Sequence, residues 1–159
     1  MSEIEQVGFI DLGLMGTSMS NNLLKAGFNL RAYDTLLSAG DSIKLNGGEI
    51  VRTPVDTGEN SQVVIVMVPD VPEVDTVLIG DDGLLESPGD GRTIMVMCTI
   101  DPGAVVKFAE QAKVAGWGYV DSPVGRTADD AREGTSMFMV AGSAEDKAAV
   151  MPALVAMGT

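Results

Sequence analysis

The chain has 159 residues, with 10 basic and 23 acidic side chains, no histidine and one cysteine. A net charge of −13 would repel a phosphate backbone, so we expect no nucleic-acid partner. The single cysteine excludes an internal disulfide and suits a reducing, cytoplasmic compartment. Without histidine, a zinc cage or an imidazole base is not expected. The longest apolar run, Val63 to Val68, is too short to cross a bilayer, and the length predicts one domain over residues 1–159.

The first informative stretch is a predicted strand, turn, helix and second strand between Val7 and Asp34. An apolar run enters a glycine-rich corner, and apolar residues then recur at helical spacing. The second strand is predicted from Phe28 to Tyr33 and ends at Asp34. Glycines at the first corner and an acid after the second strand are typical of a dinucleotide-binding unit. Gly13 and Gly16 would let the backbone approach a diphosphate, with the free N–H groups of the helix facing its charge.

One residue at this corner departs from the dinucleotide fingerprint. The pattern reads Asp11-x-Gly13-x-x-Gly16, whereas the fingerprint has glycine at the first position. A carboxylate there would weaken phosphate binding by roughly 1 to 3 kcal/mol unless it turns away. The same letters resemble the first motif of S-adenosylmethionine-dependent methyltransferases, whose ligand has no diphosphate. Leu14 excludes a P-loop, so the corner favours a dinucleotide and leaves the methyltransferase open.

Asp34 is a candidate ribose ligand. It follows Gly16 by 18 residues, close to the spacing at which an acid meets the adenosine ribose. Its carboxylate would accept from the ribose hydroxyls and repel a 2′-phosphate, and no arginine follows it. The sequence therefore favours NAD over NADP, with a solvated loop aspartate as the alternative.

Two later apolar runs predict buried parallel strands whose carboxyl ends face a ligand. The first, Val63 to Val68, stops at Pro69, and the second, Thr93 to Cys98, stops at Thr99. Thr99 would either face the nicotinamide end of the cofactor or cap the helix that follows. A helix from Leu36 to Leu45, a short strand at Glu49 to Arg52, a helix start at Thr53-Pro54 and a strand from Trp117 to Val120 complete a doubly wound α/β fold. Its sheet is expected to be mostly parallel, with about six to eight strands.

Five motifs occur in one order along almost the whole chain. They are Gly8-Phe-Ile-x-Leu-Gly-x-Met-Gly16, Met67-Val68-Pro69, Cys98-Thr99-Ile100-x-Pro102, Asp121-x-Pro123-Val124, and Gly134-Thr135 before Phe138 to Gly142. Together they resemble the cofactor domain of the β-hydroxyacid dehydrogenases, the family that includes 3-hydroxyisobutyrate dehydrogenase. The resemblance implies a Rossmann-like domain and an NAD cofactor. It also favours the dinucleotide at the Asp11 corner, because methyltransferases have no reason to carry the four later motifs.

The resemblance also implies functional residues. Those expected against the cofactor are Leu12, Gly13, Leu14, Met15, Gly16, Asp34, Val68, Pro69 and Thr99. The stretch after Asp-x-Pro-Val holds the substrate and usually reads Ser-Gly-Gly, whereas this chain has Gly125-Arg126-Thr127. That variant resembles the branch that reduces sulfolactaldehyde. An arginine fork suits a small sulfonate or carboxylate. The alternative is a surface ion pair of Arg126 with Asp129, Asp130 or Glu133.

The expected proton donor is missing from this sequence. In the family it is a lysine on a helix just after the cofactor domain, followed by an all-helical domain that completes the pocket and the dimer. The five lysines here do not match that motif. The sequence therefore predicts the NAD-binding part of an oxidoreductase without that helical domain, weak NADH binding, little turnover, and no homo-oligomer without the helical half. A non-catalytic nucleotide-binding module remains the alternative.

Overall fold

A central sheet of six parallel strands forms the frame of the molecule, and the computed structural model describes residues 4–158. The strands are β1 (Gln6–Ile10), β2 (Asn29–Tyr33), β3 (Glu49–Ile50), β4 (Val63–Val66), β5 (Thr93–Val96) and β6 (Gly118–Asp121). Their order across the sheet is β3-β2-β1-β4-β5-β6. The α/β fold class is thus confirmed, with the parallel sheet at the lower end of the expected strand count.

Helices cover both faces of this sheet. They are α1 (Leu14–Lys25), α2 (Asp41–Leu45), α3 (Pro54–Thr57), α4 (Val71–Ile79), α5 (Pro102–Val114), α6 (Ala128–Glu133) and α7 (Ala144–Met157). Short 3-10 turns lie at Leu37–Gly40 and Leu84–Glu86. No helix in the part of the chain from 4 to 158 is both long and apolar enough to span a membrane.

Strand β4 shows why the apolar runs fold as they do. All four of its residues are buried, because it lies between β1 and β5 with helices above and below. Val63 and Ile65 point into one core, which Met19 and Leu23 of α1 also enter. The alternate valines of β4 enter a second core together with residues of α4 and α5. An uninterrupted apolar run is the pattern that such a doubly covered strand requires.

The strand register aligns the carboxyl ends of four strands at one end of the sheet, called its carboxyl edge. Ile10 pairs with Val66, Val66 with Val96, and Val96 with Asp121. The segments that follow these residues therefore lie side by side at the same end of the sheet. In an open parallel sheet this edge is where ligands bind.

A small antiparallel pair lies beside that edge. Strands β7 (Val124–Gly125) and β8 (Met137–Phe138) enclose α6. Thr127 caps α6, and Gly134 ends it in the left-handed conformation at φ 73°. The Asn22 amide of α1 donates to the Ala131 carbonyl at 2.8 Å, which holds α6 against α1.

Several sequence predictions need correction in detail. The predicted helix from Leu36 to Leu45 is a 3-10 turn followed by the five-residue α2. The strands predicted to reach Val68 and Cys98 end at Val66 and Val96. Thr99 does not cap the helix after it, since the Asp101 carboxylate accepts from the Ala104 amide at 3.0 Å. The predicted helix start at Thr53-Pro54 is confirmed as a capped α3.

Candidate functional site

A cavity of about 400 Å³ opens at the carboxyl edge of β1, β4 and β5. Seven of the nine residues predicted to bind the cofactor line it: Gly13, Leu14, Met15, Gly16, Val68, Pro69 and Thr99. The site predicted from separate motifs is therefore one place in the structure. The remaining two residues, Leu12 and Asp34, lie beside it and are described below.

The amino end of α1 supplies hydrogen-bond donors to this cavity. Gly13 is the N-cap residue, and among residues 4–158 no side chain caps the helix. The amides of Leu14, Met15 and Gly16 lie in the first turn, where no intrahelical acceptor exists. Since these three residues line the cavity, their N–H groups and the positive end of the helix dipole are available to an anion.

Gly16 holds this helix end close to β1. A Cβ atom on Gly16 would fall on the carbonyl oxygen of Asp11 and would also crowd the Phe9 ring. Only glycine allows so close an approach of helix to strand, which is the packing role expected of the last glycine in the motif. The donors of α1 consequently sit directly above the end of β1.

Asp34, which follows β2, lies on the other side of the glycine corner between β1 and α1. Its Oδ2 accepts from the Leu12 amide at 2.7 Å, and its Oδ1 accepts from the Leu36 amide at 2.7 Å. Each carboxylate oxygen keeps a further lone pair for a ligand hydroxyl. Asp34 lines a second cleft of about 90 Å³ next to the first cavity. Leu12 is buried, and it contributes its amide to Asp34 rather than a side chain to the cavity.

Asp11 lies between the cavity and this cleft and lines both. Its φ of 80° is left-handed, a region that favours glycine. Its Oδ1 accepts from the Gly13 amide at 2.9 Å, so that donor is already in use. Burial raises the pKa of Asp11 to about 6, against the opposing effect of the Gly13 hydrogen bond. The charge of Asp34, a side-chain hydrogen bond with Asp34 and the charge of Glu73 act in the same direction as burial. Asp11 is therefore a carboxyl group that gains and loses its proton near neutral pH.

The far wall of the cavity is apolar and was incompletely predicted from sequence. Met67, Met97, Cys98 and Val124 line it in addition to the predicted residues. Burial raises the pKa of the Cys98 thiol to about 11, so the thiol stays neutral and unreactive. The carboxyl-end rule that identified Val68 on β4 applies equally to the segment after β5, and this signal could have found Met97 and Cys98.

The predicted substrate residues lie outside the cavity lining. The Arg126 side chain is exposed, has φ 74°, and donates from Nη1 to the Thr135 carbonyl at 2.7 Å. Gly125 pairs with Met137 in the small sheet. The Thr127 hydroxyl caps α6, accepting from the Asp130 amide at 3.3 Å and donating to its carboxylate at 2.6 Å. From this segment Val124 reaches the cavity.

Arg126 does not form the alternative surface ion pair within the described part of the chain. The neighbouring Arg132 pairs with Asp129 at 2.8 Å, while no ion pair within 4 Å joins Arg126 to a carboxylate there. The charge of Arg126 contributes to the lowered pKa of Asp130, although hydrogen bonds from Thr127 are the larger cause. Its guanidinium is thus held by a neutral carbonyl and retains unused donors.

Fold and site together define the class of protein. A parallel sheet in the order 3-2-1-4-5-6, an uncapped helix end at a glycine corner and an acid after the second strand define a dinucleotide-binding α/β domain. The donor set fits an adenosine diphosphate group, with Asp11 as the one misfit. Residues 6–159 match the family described as the NAD binding domain of 6-phosphogluconate dehydrogenase. The chain belongs to this family, within its 3-hydroxyisobutyrate dehydrogenase-like group, which confirms the predicted family and the NAD class of cofactor.

Individual relatives agree with this assignment. The chain is 39% identical to 2-hydroxy-3-oxopropionate reductase of Escherichia coli K12 over 137 residues, 86% of this chain and 47% of the relative. It is 32% identical to 3-sulfolactaldehyde reductase of the same organism over 153 residues, 96% of this chain and 51% of the relative. The solved structure of Mycobacterium tuberculosis 3-hydroxyisobutyrate dehydrogenase with L-serine matches with a TM-score of 0.90 at 25% identity. That match covers 98% of this chain and 53% of the other. The chain spans about half the length of these relatives.

Proposed function

We propose that this chain is the NAD-binding part of an oxidoreductase that acts on a small anionic substrate. The reaction would be reduction of an aldehyde of the 3-sulfolactaldehyde kind, or oxidation of the matching 3-hydroxy acid. One observation carries the proposal: the free first-turn amides of α1 and the Asp34 carboxylate flank the same corner above β1. The relatives that carry reductase names are consistent with it.

Different residues of the site would bind different parts of NAD. The amides of Leu14, Met15 and Gly16 would hold the diphosphate, and Asp34 would accept from the adenosine ribose hydroxyls. Bound NAD supplies the hydride acceptor, or as NADH the hydride donor. Val68, Pro69 and Thr99 would adjoin the nicotinamide, on the side of the cavity that Met67 and Met97 also line.

Arg126 is the proposed anchor of the substrate anion. A guanidinium binds a sulfonate or carboxylate through two parallel hydrogen bonds and keeps its charge at every working pH. Its exposure and its lack of a carboxylate partner in residues 4–158 support this role. Gly125 and Thr127 would shape the loop around it, Thr127 by fixing the start of α6.

Proton transfer is the step that the described residues do not supply. None of the five lysines lines the cavity, and the buried Cys98 thiol is too weak an acid. A positioned general acid typically contributes about 10² to 10⁴ in rate. We therefore expect these 159 residues to bind the cofactor and to turn over little by themselves.

Calorimetric titration of the chain with NADH, NADPH and S-adenosylmethionine tests the proposal. We expect NADH to bind at least about tenfold more tightly than NADPH, because the Asp34 carboxylate repels a 2′-phosphate. S-adenosylmethionine should give no signal. Tighter binding of S-adenosylmethionine than of NADH would refute the assignment. Steady oxidation of NADH by sulfolactaldehyde with this chain alone would instead refute only the expected lack of turnover.

A further inference from the structure

Asp11 occupies the position where a bound dinucleotide would pass from its ribose to its diphosphate. It lines both the cavity under the amino end of α1 and the smaller cleft beside Asp34. Its left-handed backbone brings the carboxyl over the corner, where Oδ1 accepts from the Gly13 amide. A ligand that occupies both the cavity and the cleft must therefore pass Oδ2 of Asp11.

The charges around Asp11 all have the same sign. Asp34 at the end of β2 and Glu73 in the first turn of α4 face it, and Tyr33 also lines that side of the cleft. No lysine or arginine of residues 4–158 lines either space. An ionised Asp11 would thus meet the diphosphate without a neighbouring cation, whereas a neutral carboxyl would offer an O–H donor at the same place.

We propose that Asp11 binds the dinucleotide in its protonated form, as a hydrogen-bond donor to a diphosphate oxygen, so that each cofactor bound at pH 8 takes up about one proton from solvent. The proposal rests on the proposed function, since it assigns a role within the same NAD site. It makes Asp11 a specificity residue for an anionic ligand in a site that no basic side chain of residues 4–158 lines. The pKa of about 6 places the change in affinity within reach of experiment.

The direction of the pH effect follows from proton linkage. Above pH 6 a growing share of the free protein carries ionised Asp11, and binding must restore the proton. The affinity for NAD should fall more steeply as the pH rises above 6, approaching a tenfold loss per pH unit. The total loss between pH 6 and pH 8 should be about 50-fold.

Calorimetry with NAD between pH 6 and pH 8, in two buffers of different ionisation enthalpy, measures affinity and proton uptake together. The wild type should take up close to one proton at pH 8 and show the fall in affinity. Asp11→Asn and Asp11→Gly should bind NAD with no pH dependence and no uptake. At pH 8 the Asn variant should bind more tightly than the Gly variant, because its amide can donate. Both variants tolerate the left-handed backbone of this position.

Asp90→Asn is the matched control. Asp90 is an exposed aspartate with φ 50°, outside both spaces, and its substitution changes the net charge by the same amount. This variant should retain the pH dependence of the wild type. If the wild type binds NAD without proton uptake, or if the Asn and Gly variants bind equally at pH 8, the role assigned to Asp11 is refuted. If no variant, including Asp11→Gly, binds NAD at any pH, the proposed function itself fails.

Discussion

Two side chains at the site adopt backbone conformations that favour glycine. Asp11 has φ 80° and Arg126 has φ 74°, and both stand where the family pattern has glycine. A left-handed conformation costs a non-glycine residue about 1 to 2 kcal/mol. Such strain persists mainly at binding sites and switches, where a side chain is needed in spite of the backbone. Asn60, Asp82 and Asp90 share this conformation away from the cavity, so the roles of Asp11 and Arg126 are tested by substitution.

Replacing Arg126 by glycine tests its proposed role. Arg126→Gly relieves the backbone, so the protein should unfold at an unchanged or higher urea concentration. Binding of a small hydroxyalkyl sulfonate to the NADH-saturated protein should weaken by roughly 10- to 100-fold, the value of a hydrogen bond to a charged group. Calorimetry measures the affinity and urea unfolding the stability.

Arg132→Ala provides the comparison for this variant. Arg132 lies on the neighbouring α6 and pairs with the exposed Asp129, so its loss removes the same charge from the same surface. The sulfonate should bind this variant as it binds the wild type. Equal weakening in both variants would show that Arg126 acts only through general charge.

The roles of individual side chains were only partly predictable from the sequence. Thr99 and Asp101 are both acceptable caps two residues apart, and only the backbone angles at the helix start decide between them. Thr127 illustrates the reverse case, since a predicted substrate residue uses its hydroxyl to cap α6. The fingerprint glycine at the position of Asp11 indicates an unusual backbone there, but the direction of its carboxyl, towards both the cavity and the cleft, could not be predicted from one sequence.

Helix α1 is the element on which the site depends. Its first turn supplies the proposed diphosphate donors, and Gly16 allows that turn to lie against the end of β1. Gly16→Ala would place a methyl group on the Asp11 carbonyl, so helix and strand must separate. We expect the free energy of unfolding to fall by about 1 to 3 kcal/mol and NADH binding to weaken, measured by urea denaturation and calorimetry.

Gly103→Ala serves as the reference substitution. Gly103 also lies in the first turn of a helix, α5. A Cβ there would lie 3.1 Å from Oδ1 of Asp101, the oxygen that caps α5, and this side-chain atom need shift by only a few tenths of an ångström. Alanine is the better helix former, so this variant should be as stable as the wild type or more so. A similar loss of stability in both variants would mean that any side chain added in the first turn of a helix is destabilising, and that the contact with Asp11 does not explain the effect.

Elements with a clear local sequence pattern were predictable, and irregular ones were not. The apolar run at Val63–Val66 and the glycine corner before α1 carry their signals locally. The predicted helix at Leu36–Leu45 is interrupted at Gly40, where the Ile50 side chain of β3 packs so closely that no Cβ would fit. That contact comes from tertiary packing and leaves no mark on the local pattern. The two-residue strands β7 and β8 are too short for any periodicity.

The net charge of the whole molecule opposes its proposed ligand. At −13 the protein repels a dinucleotide anion over distances longer than any single contact. Added salt screens this repulsion, so NADH affinity should rise about two- to fivefold between 20 and 300 mM sodium chloride. Adenosine, which carries no charge, should bind independently of salt. A fall in NADH affinity with salt would indicate that contacts with cationic side chains dominate instead.

The fold of the molecule was predictable because strand order and strand ends follow general rules for parallel sheets. Those rules, together with the resemblance to the dehydrogenase family, predicted the seven cofactor residues that line one cavity. They did not place Gly125, Arg126 and Thr127, because the route of the chain after β6 depends on how α6 docks on α1. The class of cofactor was thus easier to predict than the substrate.

The methionine side of the cavity has a consequence for how this site could change. Met15, Met67 and Met97 present unbranched thioethers there, in place of stiff branched side chains. Such a surface re-forms around ligands of different outline at little energetic cost, so new substrates could be accommodated without moving the backbone. Met15 and Met67 are partly exposed and therefore open to peroxide, and their conversion to sulfoxides would make this lining polar and less compliant.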